Sequence, residues 1–201
     1  MPRWRDHYSK RAKLEQYPAR SVYKLKEAQK KYRLIKKGDQ ILDLGCAPGS
    51  WTLFAAKLIG KQGKVLGIDR EAVTHAMPPQ AKTLIADVMA IDRTWLEEQD
   101  LLNRFDVVLS DMAPATTGNK MVDATRSFQL CQAALKIAEM ALKPGGSLLC
   151  KIFQGEEFEE FSESVGERFR KHRIFKPRSS RRESKEIFVV GKGYRGYYTK
   201  I

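Results

Sequence analysis

Short apolar runs alternate along the chain with amphipathic stretches. QILDLG (40–45), KVLGID (64–69), TLIAD (83–87), FDVVLSD (105–111), GSLLCKIF (146–153) and EIFVVG (186–191) have the length and composition of strands. Several are continuously apolar, as strands of a sheet covered on both faces are. Residues 51–60, 93–103, 125–142 and 156–171 carry helical spacing. In the third of these, Leu130, Ala133, Ala134, Ile137, Ala138 and Ala141 make one stripe, and Lys143-Pro144-Gly145-Gly146 stops the helix. The alternation predicts an α/β fold built on a mostly parallel sheet. RIFKP (173–177) and EIFVVG (186–191) read as a hairpin that closes that sheet, and 19–33 reads as one helix in a preface spotted with aromatics.

At 201 residues and 42% hydrophobic, the chain can bury one sizeable core, so a single domain over 1–201 is expected. Within it, 1–37 is a basic extension, 38–192 a catalytic core and 193–201 a tail. Thirty-seven Lys and Arg against 24 Asp and Glu leave a net charge of +13, which favours a polyanionic partner. That partner is either nucleic acid or an acidic membrane surface; no apolar window reaches the length of a membrane span and no signal-peptide core follows the basic start, so neither an anchor nor a signal peptide is expected. Cys46, Cys131 and Cys150 are scattered, without a Cys-x-x-Cys pair or a histidine cluster. A reduced, metal-free, cytoplasmic protein is the expectation.

Ligands of open α/β sheets sit at the carboxyl ends of strands. The first such end carries DLGCAPGSW (43–51), which has neither the lysine of a P-loop nor the spacing of a dinucleotide fingerprint. Further strand ends carry Asp69, Asp87 and Asp111. A carboxylate there can accept both ribose hydroxyls of an adenosine, and close backbone at Gly45 and Gly49 leaves room for a moiety without phosphate. S-adenosylmethionine matches: its cationic sulfonium suits acids such as Asp43 and Asp111. A plain tight turn with helix-capping acids is the competing reading, and Trp51 is either core or part of the pocket wall.

DLGCAPGSW, SDMAPATTG (110–118), the KPGG turn and KIFQGEEF (151–158), with SVYKLKE (21–27) and SSRRESKEIFVV (179–190), resemble the FtsJ family of RNA 2′-O-ribose methyltransferases. The resemblance implies a Rossmann-like, class I methyltransferase fold with a seven-stranded, mostly parallel sheet and an antiparallel C-terminal strand. It implies a Lys-Asp-Lys-Glu tetrad at Lys24, Asp111, Lys151 and Glu186, and cofactor positions at Gly49, Trp51, Asp69, Asp87 and Asp111, to which the reading of the turn adds Asp43, Gly45 and Pro48. SDMAP followed by Asp123 and Arg126 is more similar to the branch that methylates a uridine of large-subunit ribosomal RNA than to the tRNA branch.

A ribose hydroxyl is a poor nucleophile, so a site must hold it in line with the methyl and take its proton. Positioning alone can supply up to roughly 7–11 kcal/mol. Taken singly, Lys24 could be a solvated surface charge, Asp111 a turn former and Glu186 a sheet-edge solubiliser. Lys151, between Leu149-Cys150 and Ile152-Phe153, must either snorkel or work. Basic residues concentrate at both ends, and Lys10, Arg11, Arg20, Arg178, Arg181 and Arg182 are the expected RNA contacts, with Trp4, Tyr8, Tyr17 and Tyr23 as candidate stacking rings. A monomer is expected. The rival reading is an RNA-binding assembly protein that keeps the fold without the reaction.

Overall fold

In a computed structural model, residues 4–181 and 183–196 are described. Helices α1 (Trp4–Leu14) and α2 (Val22–Tyr32) precede the alternating portion. There follow β1 (Gln40–Leu44), α3 (Ser50–Ile59), β2 (Lys64–Asp69), β3 (Ala81–Ile85), a 3-10 turn (Val88–Ala90), α4 (Arg93–Glu98) and β4 (Phe105–Ser110). The chain ends with α5 (Lys120–Ala141), β5 (Leu142–Phe153), α6 (Phe158–Arg168), β6 (Phe169–Phe175) and β7 (Glu186–Tyr194).

The seven strands form one sheet in the order β3-β2-β1-β4-β5-β7-β6. β1 to β5 pair in parallel, while β7 runs antiparallel to both β5 and β6. Successive residues of each strand point to opposite faces. In β4, Val108 packs with α5 and α6, whereas Val107 and Leu109 join Leu25 of α2 and Ala55 of α3 on the other side. In β5, Leu148 and Cys150 face the first layer and Leu149 the second. Both faces are therefore covered, which explains why these strands read as unbroken apolar runs.

Boundaries move where tertiary contacts decide them. The third strand ends at Ile85, two residues before Asp87, whose carboxylate caps the 3-10 turn by accepting from Met89 N. α4 stops at Glu98, short of the expected 103; Asp100 and Asn103 take positive φ and Leu101 folds back into the core. α5 begins at Lys120, earlier than expected, because Asn119 accepts from Met121 N and Val122 N. Residues 169–171 belong to a strand, not a helix, since Phe169 lies flat against Gly191 of β7, where a Cβ would come within 2.6 Å of the ring. The preface holds a second helix, α1, anchored by Ala12 beside Tyr17, Tyr23 and Leu53. β7 continues through Tyr194, into the stretch read as tail. No helix among the described residues is long and apolar enough to cross a membrane.

Candidate active site

Strand order reverses between β1 and β4, and the crevice beyond their carboxyl ends is where such sheets bind ligands. A cavity of about 460 Å³ opens there, lined by Gly45, Ala47, Asp69, Asp87, Asp111 and Met112 among others. That volume suits a nucleoside-sized ligand. Gly45 has φ +77°, and a Cβ on it would lie 2.4 Å from Met112 Cγ, so the turn after β1 can approach the loop after β4 only as glycine. Asp69 pins the next loop by accepting from Ala47 N (2.9 Å) and Glu71 N (3.0 Å). The cavity carries four carboxylates, Asp69, Glu71, Asp87 and Asp111, against the guanidinium groups of Arg70 and Arg126. In a chain of net charge +13 this acidic spot disfavours a phosphate and suits a cation.

At the inner end of the cavity, Asp111 meets three further charged groups. Lys24 Nζ lies 2.7 Å from Glu186 Oε2 and 3.5 Å from Asp111 Oδ1; Lys151 Nζ lies 3.1 Å from the same Oδ1. Lys151 Nζ also donates to the Asp111 carbonyl. All four side chains are mostly buried, Lys151 to 5% exposure. Despite the two nearby ammonium groups, Asp111 Oδ1 accepts no hydrogen bond of good geometry. An enclosed carboxylate oxygen without a donor is costly. It is the natural place for an incoming hydroxyl.

Distant elements hold this cluster. Lys151 sits inside β5 rather than at its end; Cys131 Sγ–H donates to its carbonyl (2.9 Å) and Phe153 N donates to Ser127 Oγ (3.0 Å), so α5 fixes the strand there. Lys24 is placed through α3: Trp51 Nε1 donates to Ser21 O (2.9 Å) and Ala19 N to Ser50 Oγ (2.7 Å), next to the start of α2. Glu27 accepts from Arg178 N and Ser179 N, and Arg20 Nη2 donates to Ser179 O, tying α2 to the loop that leads to Glu186. Asp123 accepts from Thr117 N and Oγ1, which holds the Asp111 loop against α5 and lowers the Asp123 pKa.

The sequence-derived residues thus separate into groups. Lys24, Asp111, Lys151 and Glu186 come together, and Gly45, Asp69, Asp87 and Asp111 line the cavity. Asp43, Pro48, Gly49 and Trp51 are outside its lining. Trp51 is core, 3% exposed and stacked on Phe188, so it acts as a post for α2. Gly49 faces Val73 and Met77, and Pro48 follows a cis bond from Ala47. Asp43 is fully enclosed and accepts from Thr52 Oγ1 (2.6 Å). Arg20 turns inward to Ser179 O, with its guanidinium over the Tyr8 ring, instead of projecting as an RNA contact. Tyr17 and Tyr23 are 6% and 4% exposed, too enclosed to be open stacking platforms. Lys10, Arg178 and Arg181 are exposed, Arg11 pairs with Glu15, and Arg182 lies outside the described residues. Ser50, Glu27, Arg126 and Gln129 were not singled out as site residues by sequence; Ser50 and Glu27 act through partners far along the chain, and Arg126 and Gln129 line the cavity from α5.

Burial pushes the Asp43 carboxyl up to about 7 from an ordinary 3.8; the Thr52 hydrogen bond opposes this, and Asp111 and Asp69 add to it. Because the folded state holds that proton more tightly, Asp43 makes stability fall as pH rises from about 4 to about 7 and level off above. Asp43→Asn removes this component. The difference in unfolding free energy between variant and parent, followed by denaturant titration, is expected to shift in favour of Asn across that window. A pH-independent difference would show that the carboxyl is ionised throughout.

Among the described residues no group of three or more His, Cys, Asp or Glu side chains is gathered as a metal site. A family model described as FtsJ-like methyltransferase matches residues 17–194. The chain is 54% identical over 186 residues to the "Ribosomal RNA large subunit methyltransferase E" of Desulfosudis oleivorans, covering 92% of this chain and 89% of that one. It is 53% identical over 192 residues to the protein of the same name from Desulforapulum autotrophicum, covering 94% and 93%. A crystal structure of a Plasmodium falciparum protein named as a ribosomal RNA methyltransferase superposes with a TM-score of 0.76 at 26% identity, over 90% of this chain and 100% of that one.

Proposed function

The chain belongs to the FtsJ-like methyltransferase family, and we propose that it moves a methyl group from S-adenosylmethionine to the 2′-hydroxyl of a ribose in RNA, a uridine of large-subunit ribosomal RNA. One observation carries the reading: Asp111 belongs at once to the acidic cavity and to the charged cluster with Lys24, Lys151 and Glu186, so a donor in one abuts an acceptor in the other. The names of the relatives at 54% and 53% identity support large-subunit ribosomal RNA as the substrate.

The cavity fits the cofactor by its chemistry. Asp69 has both oxygens oriented by backbone N–H groups and retains lone pairs for the two ribose hydroxyls of the adenosine. Asp87 uses Oδ1 on Met89 N and keeps acceptor capacity for the exocyclic amine of adenine, beside the apolar side chains of Val88 and Met89. When bound, the cofactor supplies an electrophilic methyl on a sulfonium. Lys151, held by the Asp111 carbonyl and carboxylate, cannot swing away and so fixes one side of the acceptor oxygen. Asp111 Oδ1, without a hydrogen bond of its own, accepts the hydroxyl proton and turns the oxygen lone pair toward the methyl. The Lys24–Glu186 pair forms the far wall and, like Lys151 with Asp111, carries no net charge. Partial exclusion of water strengthens each of these contacts.

The test uses large ribosomal subunits from cells lacking the enzyme and a labelled methyl donor. Alkali cleaves RNA through the 2′-hydroxyl, so a methyl on that oxygen blocks cleavage at the next phosphodiester. The label is expected in an alkali-resistant dinucleotide containing uridine. Label in alkali-released mononucleotides would mean a base is modified and would overturn the reading; label in tRNA but not in subunits would overturn the choice of substrate.

A further inference from the structure

A second concavity, about 810 Å³, lies away from the cofactor cavity, between α1, α2 and the segment after β6. Six cations line it, Arg11, Lys26, Lys30, Lys31, Lys176 and Arg178. The one carboxylate in its lining, Glu27, has both oxygens occupied by the backbone N–H groups of Arg178 and Ser179. Tyr8 adds a half-buried ring, while Tyr23 and Phe175 lie almost wholly enclosed behind the cations.

The groove shares its walls with the charged cluster. Lys24 and Lys31 are separated by seven residues on α2 and so fall on nearly the same face, roughly 10 Å apart at about 1.5 Å per residue. The loop carrying Lys176 and Arg178 runs on to Glu186. A chain whose ribose rests at Lys24 can therefore continue along α2 into the groove.

We propose that this groove binds the single-stranded RNA flanking the target nucleotide, its phosphates against Lys30, Lys31, Lys176 and Arg178. A basic groove of this kind follows a single-stranded backbone, whose flexibility lets successive phosphates meet cations set on different elements. The inference rests on the proposed activity for its kinetic readout and stands apart from it for its binding readout.

The test is Lys30→Gln/Lys31→Gln, two substitutions at exposed positions. Binding of a fluorescein-labelled 12-nucleotide single-stranded RNA is read by polarisation across salt. With about 0.7 counterions released per phosphate contact on a single strand, the slope of log affinity against log salt is expected to shrink by ~1.4. With undermethylated large subunits, KM is expected to rise about tenfold while kcat falls less than threefold, the signature of lost substrate binding. An unaltered salt slope overturns the groove, as does parent-like affinity for the RNA. Tighter binding to phosphatidylglycerol vesicles than to the RNA also overturns it. If the parent protein methylates no ribose, the proposed reaction fails and the salt slope still decides the groove.

Discussion

Lys151→Ala is expected to lower methyl transfer by about a thousandfold or more, the scale on which a positioned, water-shielded charge contributes to a reaction. Lys151 touches both the carbonyl and the carboxylate of Asp111, and its removal leaves that carboxylate with only Lys24, at 3.5 Å. The acidic cavity does not include Lys151 in its lining, so affinity for the proposed cofactor should stay within a few-fold. Stability will also fall, because breaking a buried ion pair costs up to about 3–5 kcal/mol. Lys151→Met, which keeps the volume among Leu149, Cys150 and Ile152, separates the two effects. Single-turnover transfer of labelled methyl, calorimetric cofactor binding and the thermal midpoint are measured on both variants. Near-parental transfer by a folded, cofactor-binding variant would remove Lys151 from the reaction.

Asp69→Ala should act on the other half of the site. Its two oxygens organise the loops at Ala47 and Glu71, and the same carboxylate is the proposed partner of two adenosine hydroxyls. Hydrogen bonds to a charged group are worth about 1.5–3 kcal/mol each, so the loss of two predicts a cofactor dissociation constant raised about a hundredfold or more. The rate at saturating cofactor should drop far less, because Asp69 is absent from the charged cluster around Asp111. Asp69→Asn, which keeps one acceptor, is expected to fall between. A dissociation constant within threefold of the parent, measured by calorimetry, would place the ribose elsewhere.

The strands were legible because both faces of the sheet are covered. Val107, Val108 and Leu109 each have apolar company, so the run is continuous in sequence and cannot be confused with a half-exposed strand. The acids at strand ends were legible for a related reason: a carboxylate such as Asp69 that follows an apolar run lies where the sheet stops and the crevice begins. Asp43 shows the limit of that rule. It follows the same logic by position, yet it falls one residue inside β1, and the side chain is enclosed beneath the turn. A shift of one or two residues at a strand end decides between lining a cavity and lying behind it.

The sequence left Trp51 open between core and pocket wall and read Arg20 as an RNA contact, because the roles of both are set by residues distant in sequence. Trp51 Nε1 reaches Ser21 and Arg20 reaches Ser179, contacts that no local spacing encodes. The basic groove has the same origin, drawing its cations from α1, α2 and the segment after β6.

By itself, then, the sequence determined the α/β alternation, the glycine turn and the acids beyond the strands. Each is written in local order, where hydrophobic period and residue type act directly; the four charged residues were implied only by the motifs' resemblance to a family. Only the tertiary structure decided that Asp111 is shared between the cavity and the cluster, that its Oδ1 is left without a hydrogen bond, and that α2 carries Lys24 toward Glu186. Those facts depend on how β4, β5, β7 and α2 converge, and burial makes the charges they bring together matter: enclosed beside one another, they interact in a medium that screens them far less than water does.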